Sequence, residues 1–364
     1  MAQLELELWR AFAVAAVRLF VVARGGAVIW PELEAFLAFG SWVPDNVPGA
    51  AAAGVKRIDP HHLTYARQTL ESLGELRRAE SVLQGRTVAA WIHVPTRDEL
   101  QATAVDRRAA SVRRRYRTFL GWTRNETCGD VAERLTHATL RSLAGRHLWI
   151  DDAPRGQVAR LDGKAVPGGP LDHAGYWAIN PDDPRAGWVP FAVEVKNVRH
   201  LIYPTQREIW DLLAKAGAFP DRVPVLITRR VHYWTYKMFA TLGAVAYQSE
   251  RQWFSPTIDP VRFAAVTRDL GLTDAIRVAN PDAPNAALTK WLTVTLRKPT
   301  HHDPRQLMVR SAQLWARAAP ICANYLTLRE DLDPDERHET YEQFLEDLEA
   351  EGFDTEDFAG PLRE

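Results

Sequence analysis

The residues whose types and spacing could do chemistry are Asp172, Glu194 and Lys196, in the stretches PLDHAGYW and FAVEVKN. Both stretches have strand character, and side chains alternate faces along a strand. Glu194 and Lys196 therefore point the same way, while Val193 and Val195 turn to the opposite, apolar face. Charges on a sheet otherwise built of Val, Ala and Phe are costly unless they are paired or bind metal. Where the Asp172 strand neighbours the Glu194 strand, the two carboxylates converge. Two hard oxygen ligands suit Mg²⁺ or Mn²⁺, which keep waters and take further oxygens from a phosphate. A lysine beside them could orient or help deprotonate a bound water, or neutralise charge developing on the phosphate. That is a geometry for phosphodiester hydrolysis. The competing reading is an ordinary Glu–Lys pair on an edge strand.

The elements that must position these residues follow from the spacing of apolar and turn residues. A helix is expected over 128–144, with Val131, Leu135, Ala138 and Leu143 on one face and Gly145 ending it. Strands are expected at 147–150, 171–179 and 189–196, separated by GKAVPGGP and NPDDPRAG. Pro204 opens a helix at 205–216. A buried strand at 224–228, a helix at 233–242 and a short strand at 244–247 complete the run. The order is α/β with a mixed sheet. Three parts result: a mainly helical region 1–120, a central domain 121–255, and a helical region 256–364. In the first, helical spacing runs over 64–83 and loops fall at 44–54 and 57–62. In the last, an apolar helix is expected over 307–328 and an acidic one over 340–348. No Rossmann glycine pattern, Walker loop or repeat occurs.

The spacing Pro170-Leu171-Asp172, then Glu194-Val195-Lys196, resembles the PD-(D/E)XK nuclease superfamily. The resemblance covers residues 126–250 and implies the restriction-endonuclease-like αβββαβ core of those enzymes. It implies that Asp172 and Glu194 bind Mg²⁺ or Mn²⁺, with the Val195 carbonyl as a further ligand, and that Lys196 assists the attacking water. It also implies an acidic residue on the preceding helix, for which Glu133 is the candidate against a plain solvated glutamate. Recombination-type members carry Gln-x-x-x-Tyr on the helix after the lysine. Here Gln206 is followed by Trp210, a departure, and Gln206 would orient Lys196 or contact the backbone. EVKN also looks like the nuclease-related and junction-resolvase branches. Asp151 and Asp152 could substitute for Asp172, although a turn role suits them better.

Basic residues surround this stretch. Nucleic-acid affinity is largely phosphate neutralisation by Lys and Arg, and Arg199, Arg207, Arg229, Arg230 and Lys237 are the candidate contacts, with Tyr233 and Trp234 available for stacking. A second run carries Arg107, Arg108, Arg113, Arg114, Arg115, Arg117 and Arg124, which could clamp a backbone or face solvent. From Glu330 onward, 15 acidic residues face Arg337 and Arg363, leaving residues 1–329 near +12. That pattern fits a polyanionic partner with a competing tail, or a solvated acidic helix.

The remaining composition narrows the class. At 364 residues, 46% hydrophobic and 25% charged, the chain is an ordinary globular protein long enough for more than one domain. Only seven of the 45 basic residues are lysines, among them Lys196, Lys215 and Lys237. Cys128 and Cys322 exclude a disulfide framework and a Cys-rich zinc site, and are assigned to cores. The pairs His61-His62 and His301-His302 are read as loop residues rather than metal ligands. Glu5, Glu7, Arg10, Arg18 and Arg24 argue against a signal peptide or a spanning helix at the N-terminus, so a cytoplasmic location without a membrane is expected. The reading is a metal-dependent endonuclease acting on DNA, in a setting of bacterial defence or repair, with flanks that select substrate or bind a partner, including a second copy. The alternatives are a non-catalytic nucleic-acid-binding protein on a nuclease-like scaffold and an RNA nuclease.

Overall fold

The computed structural model describes residues 2–38, 42–83, 86–93, 99–124, 126–151, 157–300 and 303–359. The chain divides into two compact units: residues 1–124 with 258–275, and residues 125–257 with 276–364. The expected C-terminal part is thus shared between them. No described helix is long and apolar enough to cross a membrane.

In the first unit, the helix Ala2–Ala23 lays Ala13, Val17 and Phe20 into a core with Leu33, Leu63 and Leu70. Beside its helices this unit holds strands that the spacing does not suggest. Three antiparallel strands form a sheet in the order Ala27–Val28, Arg86–His93, Leu76–Leu83. The helical spacing over 64–83 holds only as far as Ser72, in the helix Pro60–Ser72. Asp59 caps that helix by accepting from the His61 N–H, and Pro60 occupies the first turn, where no N–H is required. Gly74, at φ +71°, lies between this helix and the strand Leu76–Leu83, which pairs residue for residue with its neighbour. Cross-strand pairing overrides a local spacing that also fits a helix. His61 and His62 therefore lie on a helix, not in a loop, with ring centroids 3.8 Å apart. His301 and His302 lie outside the described residues. The arginine run forms the helix Glu99–Arg124. Arg108 and Arg115 bind Asp269 through its carbonyl and carboxylate, whereas Arg107 and Arg114 are exposed. The Arg124 side chain lies outside the described residues.

In the second unit, five strands form one mixed sheet in the order Val245–Gln248, Val223–Thr228, Trp188–Lys196, His173–Ala178, Leu148–Ile150. The first three are mutually parallel, and the other two pair antiparallel. Phe191, Val193 and Val195 pack on one face with Val131 and Leu135 of the helix Glu126–Leu143. Ala192, Ala174 and Leu226 pack on the other with Ile209, Trp210 and Leu213 of the helix Arg207–Gly217. This is the α/β layering with a mixed sheet that the sequence pattern implies. A hairpin, Arg160–Leu161 with Lys164–Ala165, is an addition. Its Asp162-Gly163 turn has both residues at positive φ, the two-residue turn that an Asp-Gly pair favours.

The C-terminal segment joins the same unit. The helix Leu307–Asn324 is shorter than the expected 307–328; Leu326–Arg329 is a separate 3₁₀ turn. The acidic helix is longer, Pro334–Ala350, because Asp333 and Glu336 close a capping box and Pro334 starts the first turn. Its Tyr341, Phe344, Leu345 and Leu348 are buried in the core that holds Trp210. The segment after Glu330 is therefore an amphipathic part of the fold through Ala359, not a free tail.

Candidate active site

The sheet register brings Asp172 and Glu194 together. His173 pairs with Val193, and one residue earlier the Asp172 N–H donates to the Val193 carbonyl at 3.1 Å. The Asp172 Oδ2 in turn accepts the Val195 N–H at 2.6 Å. Strand alternation then sends Glu194 and Lys196 toward the helix Arg207–Gly217, and that helix supplies two partners. Lys196 Nζ donates to Glu194 Oε1 and to Asp211 Oδ2, both at 3.0 Å. Lys215 Nζ donates to the same Glu194 Oε1 at 3.0 Å and to the Pro170 carbonyl at 2.9 Å. Arg329 Nε donates to Asp211 Oδ1 at 2.8 Å. The order along this chain of charges is Arg329, Asp211, Lys196, Glu194, Lys215.

Some carboxylate oxygens remain bare. Glu194 is 3% exposed, and its Oε2 is buried without a hydrogen bond. Burial, then the charge of Glu194, pushes Asp172 up to about 7, against the opposing Val195 N–H. Glu133, on the helix Glu126–Leu143, is raised by burial, then by Asp130 and Glu194. Burial works against the charge of Lys196, but Glu194 and Asp211 outweigh it and raise its pKa. Burial likewise opposes ionisation of Asp211, but Lys196 and Arg329 outweigh it and hold its carboxyl below the usual range. These directions are those of acids crowded together without enough positive charge around Asp172 and Glu133.

A divalent cation fits this donor set. Asp172 and Glu194 offer hard oxygens, and the crowding of Asp172, Glu133 and Glu194, with Glu194 Oε2 buried and unbonded, is what a cation would relieve. The set is lean: among the described residues no three His, Cys, Asp or Glu side chains lie at metal-ligand spacing. A cation held here would therefore keep several waters or take oxygens from a substrate.

Other candidates fall elsewhere. Gln206 stands at the N-cap of Arg207–Gly217, not inside the helix, and its Oε1 accepts the Tyr203 N–H at 3.1 Å. It does not hold Lys196; Asp211 does. Trp210 is fully buried and donates to the Pro204 carbonyl at 3.0 Å. The helix begins at Arg207 because Pro204 and Thr205 form a turn before it, which moves Gln206 off the expected face. Asp151 lies 3.7 Å from the buried Arg222, and Asp152 lies outside the described residues. Arg229 is 4% exposed and donates to the Arg199 carbonyl. Arg199 and Arg230 are half-buried, and Arg207 is exposed. Lys237 pairs with Asp357 at 2.7 Å.

Sequence reasoning missed Asp211, Lys215, Arg329 and Asn197. An Asp and a Lys four apart in REIWDLLAKAG, in a helix that is otherwise apolar after its first turn, were the available signal for the first two. Arg329 has no local signature. Asn197 directly follows Lys196; its Nδ2 donates to the Cys128 carbonyl at 2.8 Å and to the Trp253 carbonyl at 2.6 Å. That tie fixes the strand end against the helix that carries Glu133. Comparison of the chain with protein-family models, with curated proteins and with solved structures gave no match.

Proposed function

We propose that this protein is a metal-dependent nuclease of the PD-(D/E)XK type, cutting DNA phosphodiester bonds. The observation that carries the reading is the convergence of Asp172, directly before the strand His173–Ala178, on Glu194 of the neighbouring strand, with the Lys196 ammonium bound between Glu194 and Asp211. The succession of the Glu126–Leu143 helix, three antiparallel strands, the Arg207–Gly217 helix and the parallel strand Val223–Thr228 supports an αβββαβ core of the restriction-endonuclease type.

In this reading Asp172 and Glu194, with the Val195 carbonyl, would hold Mg²⁺ or Mn²⁺. The bound ion would polarise the phosphate and lower the pKa of a water. The Val195 N–H holds the Asp172 carboxylate through its Oδ2. Lys196 has three N–H donors and spends two on Glu194 and Asp211; the third is left for a water or a phosphate oxygen. Lys215 anchors Glu194 to the Pro170 carbonyl and so couples the Asp172 approach to the Glu194 strand. Exposed Arg207 and half-buried Arg199 and Arg230 supply positive charge for a nucleic-acid backbone.

One observation favours a second reading, a nucleic-acid-binding scaffold that does not cut. Lys196, Lys215 and Arg329 already offset much of the charge on Glu194 and Asp211, so the fold tolerates these acids without a cation. Cleavage of supercoiled plasmid, labelled single-stranded DNA and RNA with Mg²⁺ or Mn²⁺ decides between them. Metal-dependent cutting by the wild type, lost in a folded Lys196→Ala variant, is the expected result. A folded wild type that binds these nucleic acids but cuts none overturns the nuclease reading in favour of the scaffold. Cutting confined to RNA overturns the choice of DNA.

A further inference from the structure

We propose that Arg329 is a positioning residue that acts on Lys196 through Asp211, making the C-terminal turn Leu326–Arg329 a working part of the site. Its meaning in catalysis rests on the nuclease reading; the tie itself does not.

The Asp211 carboxylate is divided between two cations. Arg329 Nε takes Oδ1 at 2.8 Å and Lys196 Nζ takes Oδ2 at 3.0 Å. These side chains are largely out of solvent, at 16% for Arg329, 12% for Asp211 and 21% for Lys196, so the contacts are not loose surface pairs. The loop leading to Asp172 closes over the guanidinium. Gly168 sits at φ +70°, and a Cβ there would stand 1.6 Å from Arg329 Nη1. The backbone conformation favours glycine, and a Cβ there would have to displace the Arg329 guanidinium. The sequence PGGPLD thus carries glycine where the Arg329 guanidinium passes beneath it.

A flexible lysine stem does not hold its ammonium in one place, and the third N–H of Lys196 is aimed only because two carboxylates take the others. With Arg329 gone, the Asp211 Oδ1 loses its partner, the carboxylate is free to rotate, and Lys196 can swing toward Glu194 alone. With Asp211 neutralised, the same freedom arises directly. Both changes should act on one quantity, the direction of the Lys196 ammonium.

The small number of lysines makes a direct readout practical. In the full chain labelled with ¹⁵N-lysine, the Lys196 ammonium resonance is assigned by its loss in Lys196→Arg. It should appear as a slowly exchanging signal in the wild type and in Arg329→Lys, and vanish into fast exchange in Arg329→Gln and Asp211→Asn. In cleavage, Arg329→Gln and Asp211→Asn should each lower kcat by roughly 10²-fold, the size of effect expected when a reacting group is misplaced by about 1 Å. KM and the Mn²⁺-induced rise in Tm should stay put, Arg329→Lys should recover part of kcat, and the double variant should be no worse than either single. An unchanged Lys196 resonance in folded Arg329→Gln overturns the tie. Losses that multiply in the double variant overturn the shared route. If Arg329→Gln does not fold, Arg329→Lys and Asp211→Asn carry the test, and a normal resonance in Asp211→Asn overturns it. If the wild type cuts no nucleic acid, the nuclease reading fails, and the resonance still decides the tie.

Discussion

Glu32 in the first unit and Glu194 in the second are both buried acids, 0% and 3% exposed, each with one carboxylate oxygen lacking a hydrogen bond. Their surroundings differ. Arg24 Nε donates to Glu32 Oε1 at 2.8 Å, and the charges of Arg24 and Arg108 both act against the rise that burial causes. Glu194 stands close enough to Asp172 and Glu133 to raise both of them, and two ammonium groups crowd onto its one bonded oxygen. An orphaned oxygen is therefore common to a structural ion pair and to a candidate site. What separates the two is the convergence of acids, whose mutual repulsion a cation from outside the chain would relieve.

The largest expected effect tests that distinction directly. Asp172→Asn should lower metal-dependent cleavage by roughly 10³-fold, comparable to removing a principal transition-state contact. It should also abolish the Mn²⁺-induced rise in Tm. For the wild type that rise corresponds to about 2.7 kcal/mol at a cation concentration 100 times Kd. Glu32→Gln should keep the full Mn²⁺ response. If Asp172→Asn and the wild type respond alike to Mn²⁺, converging acids are no better a sign of a site than the lone Glu32.

Glu32 carries the next prediction, in pH rather than in metal. Burial, against the opposing Arg24, raises its pKa from 4.5 to about 7. A carboxyl with a raised folded-state pKa contributes stability that is fully present below its unfolded value and is lost as pH rises through the folded value. From pH 4 to pH 8 the wild type should thus lose stability relative to Glu32→Gln, by on the order of 3 kcal/mol. Denaturant unfolding of both proteins across that range measures the difference. A flat difference would show that the Arg24 pair offsets burial and leaves the folded-state pKa of Glu32 at its unfolded value.

The contrast also explains what the sequence made legible. Glu194 and Lys196 could be placed on one face because strand alternation is a local rule, and Asp172 could be set beside them because a short turn-rich connection forces neighbouring strands. The helix Tyr233–Leu242 was likewise readable from its own spacing and the following Gly243. Gln206 was misplaced because one turn at Pro204–Thr205 shifts the helix start and changes which residue faces Lys196. Asp211 was hidden by its helix, where a single acid reads as a solvated position until the partner sheet is known. Arg329 was illegible for a different reason: its tie to Asp211 spans 118 residues of sequence, and no local pattern records it. In the first unit, the strand Leu76–Leu83 was read as helix because its identity comes from pairing with Arg86–His93, again a non-local cause.

A smaller effect belongs to Lys215, 6% exposed and bound to both Glu194 and the Pro170 carbonyl. Lys215→Met should destabilise the fold by about 1–3 kcal/mol, since the Pro170 carbonyl and one carboxylate oxygen each lose a donor. The same change should tighten Mn²⁺ binding, because one fewer ammonium competes for Glu194. Calorimetric titration of Mn²⁺ into the variant checks this. Weaker binding would mean that Lys215 is needed to hold Glu194 in place, and that its anchoring outweighs its competition.

The smallest expected effect compares two arginines on the face that the proposed reading turns toward nucleic acid. Arg207 is exposed, whereas Arg229 is 4% exposed and donates to the Arg199 carbonyl. Only a cation that reaches phosphate releases counterions, so Arg207→Ala should reduce the slope of log affinity against log salt by about 0.9 for duplex DNA. Arg229→Met should leave that slope alone and lower the denaturation midpoint, because the Arg199 carbonyl loses its donor. Fluorescence anisotropy with Asp172→Asn as the background keeps the DNA intact during the titration. An unchanged slope for Arg207→Ala would remove that face from the DNA path. A reduced slope for Arg229→Met would require the buried guanidinium to swing out when DNA binds, and the rule that separates structural from functional charges by burial would fail for cations where it holds for acids.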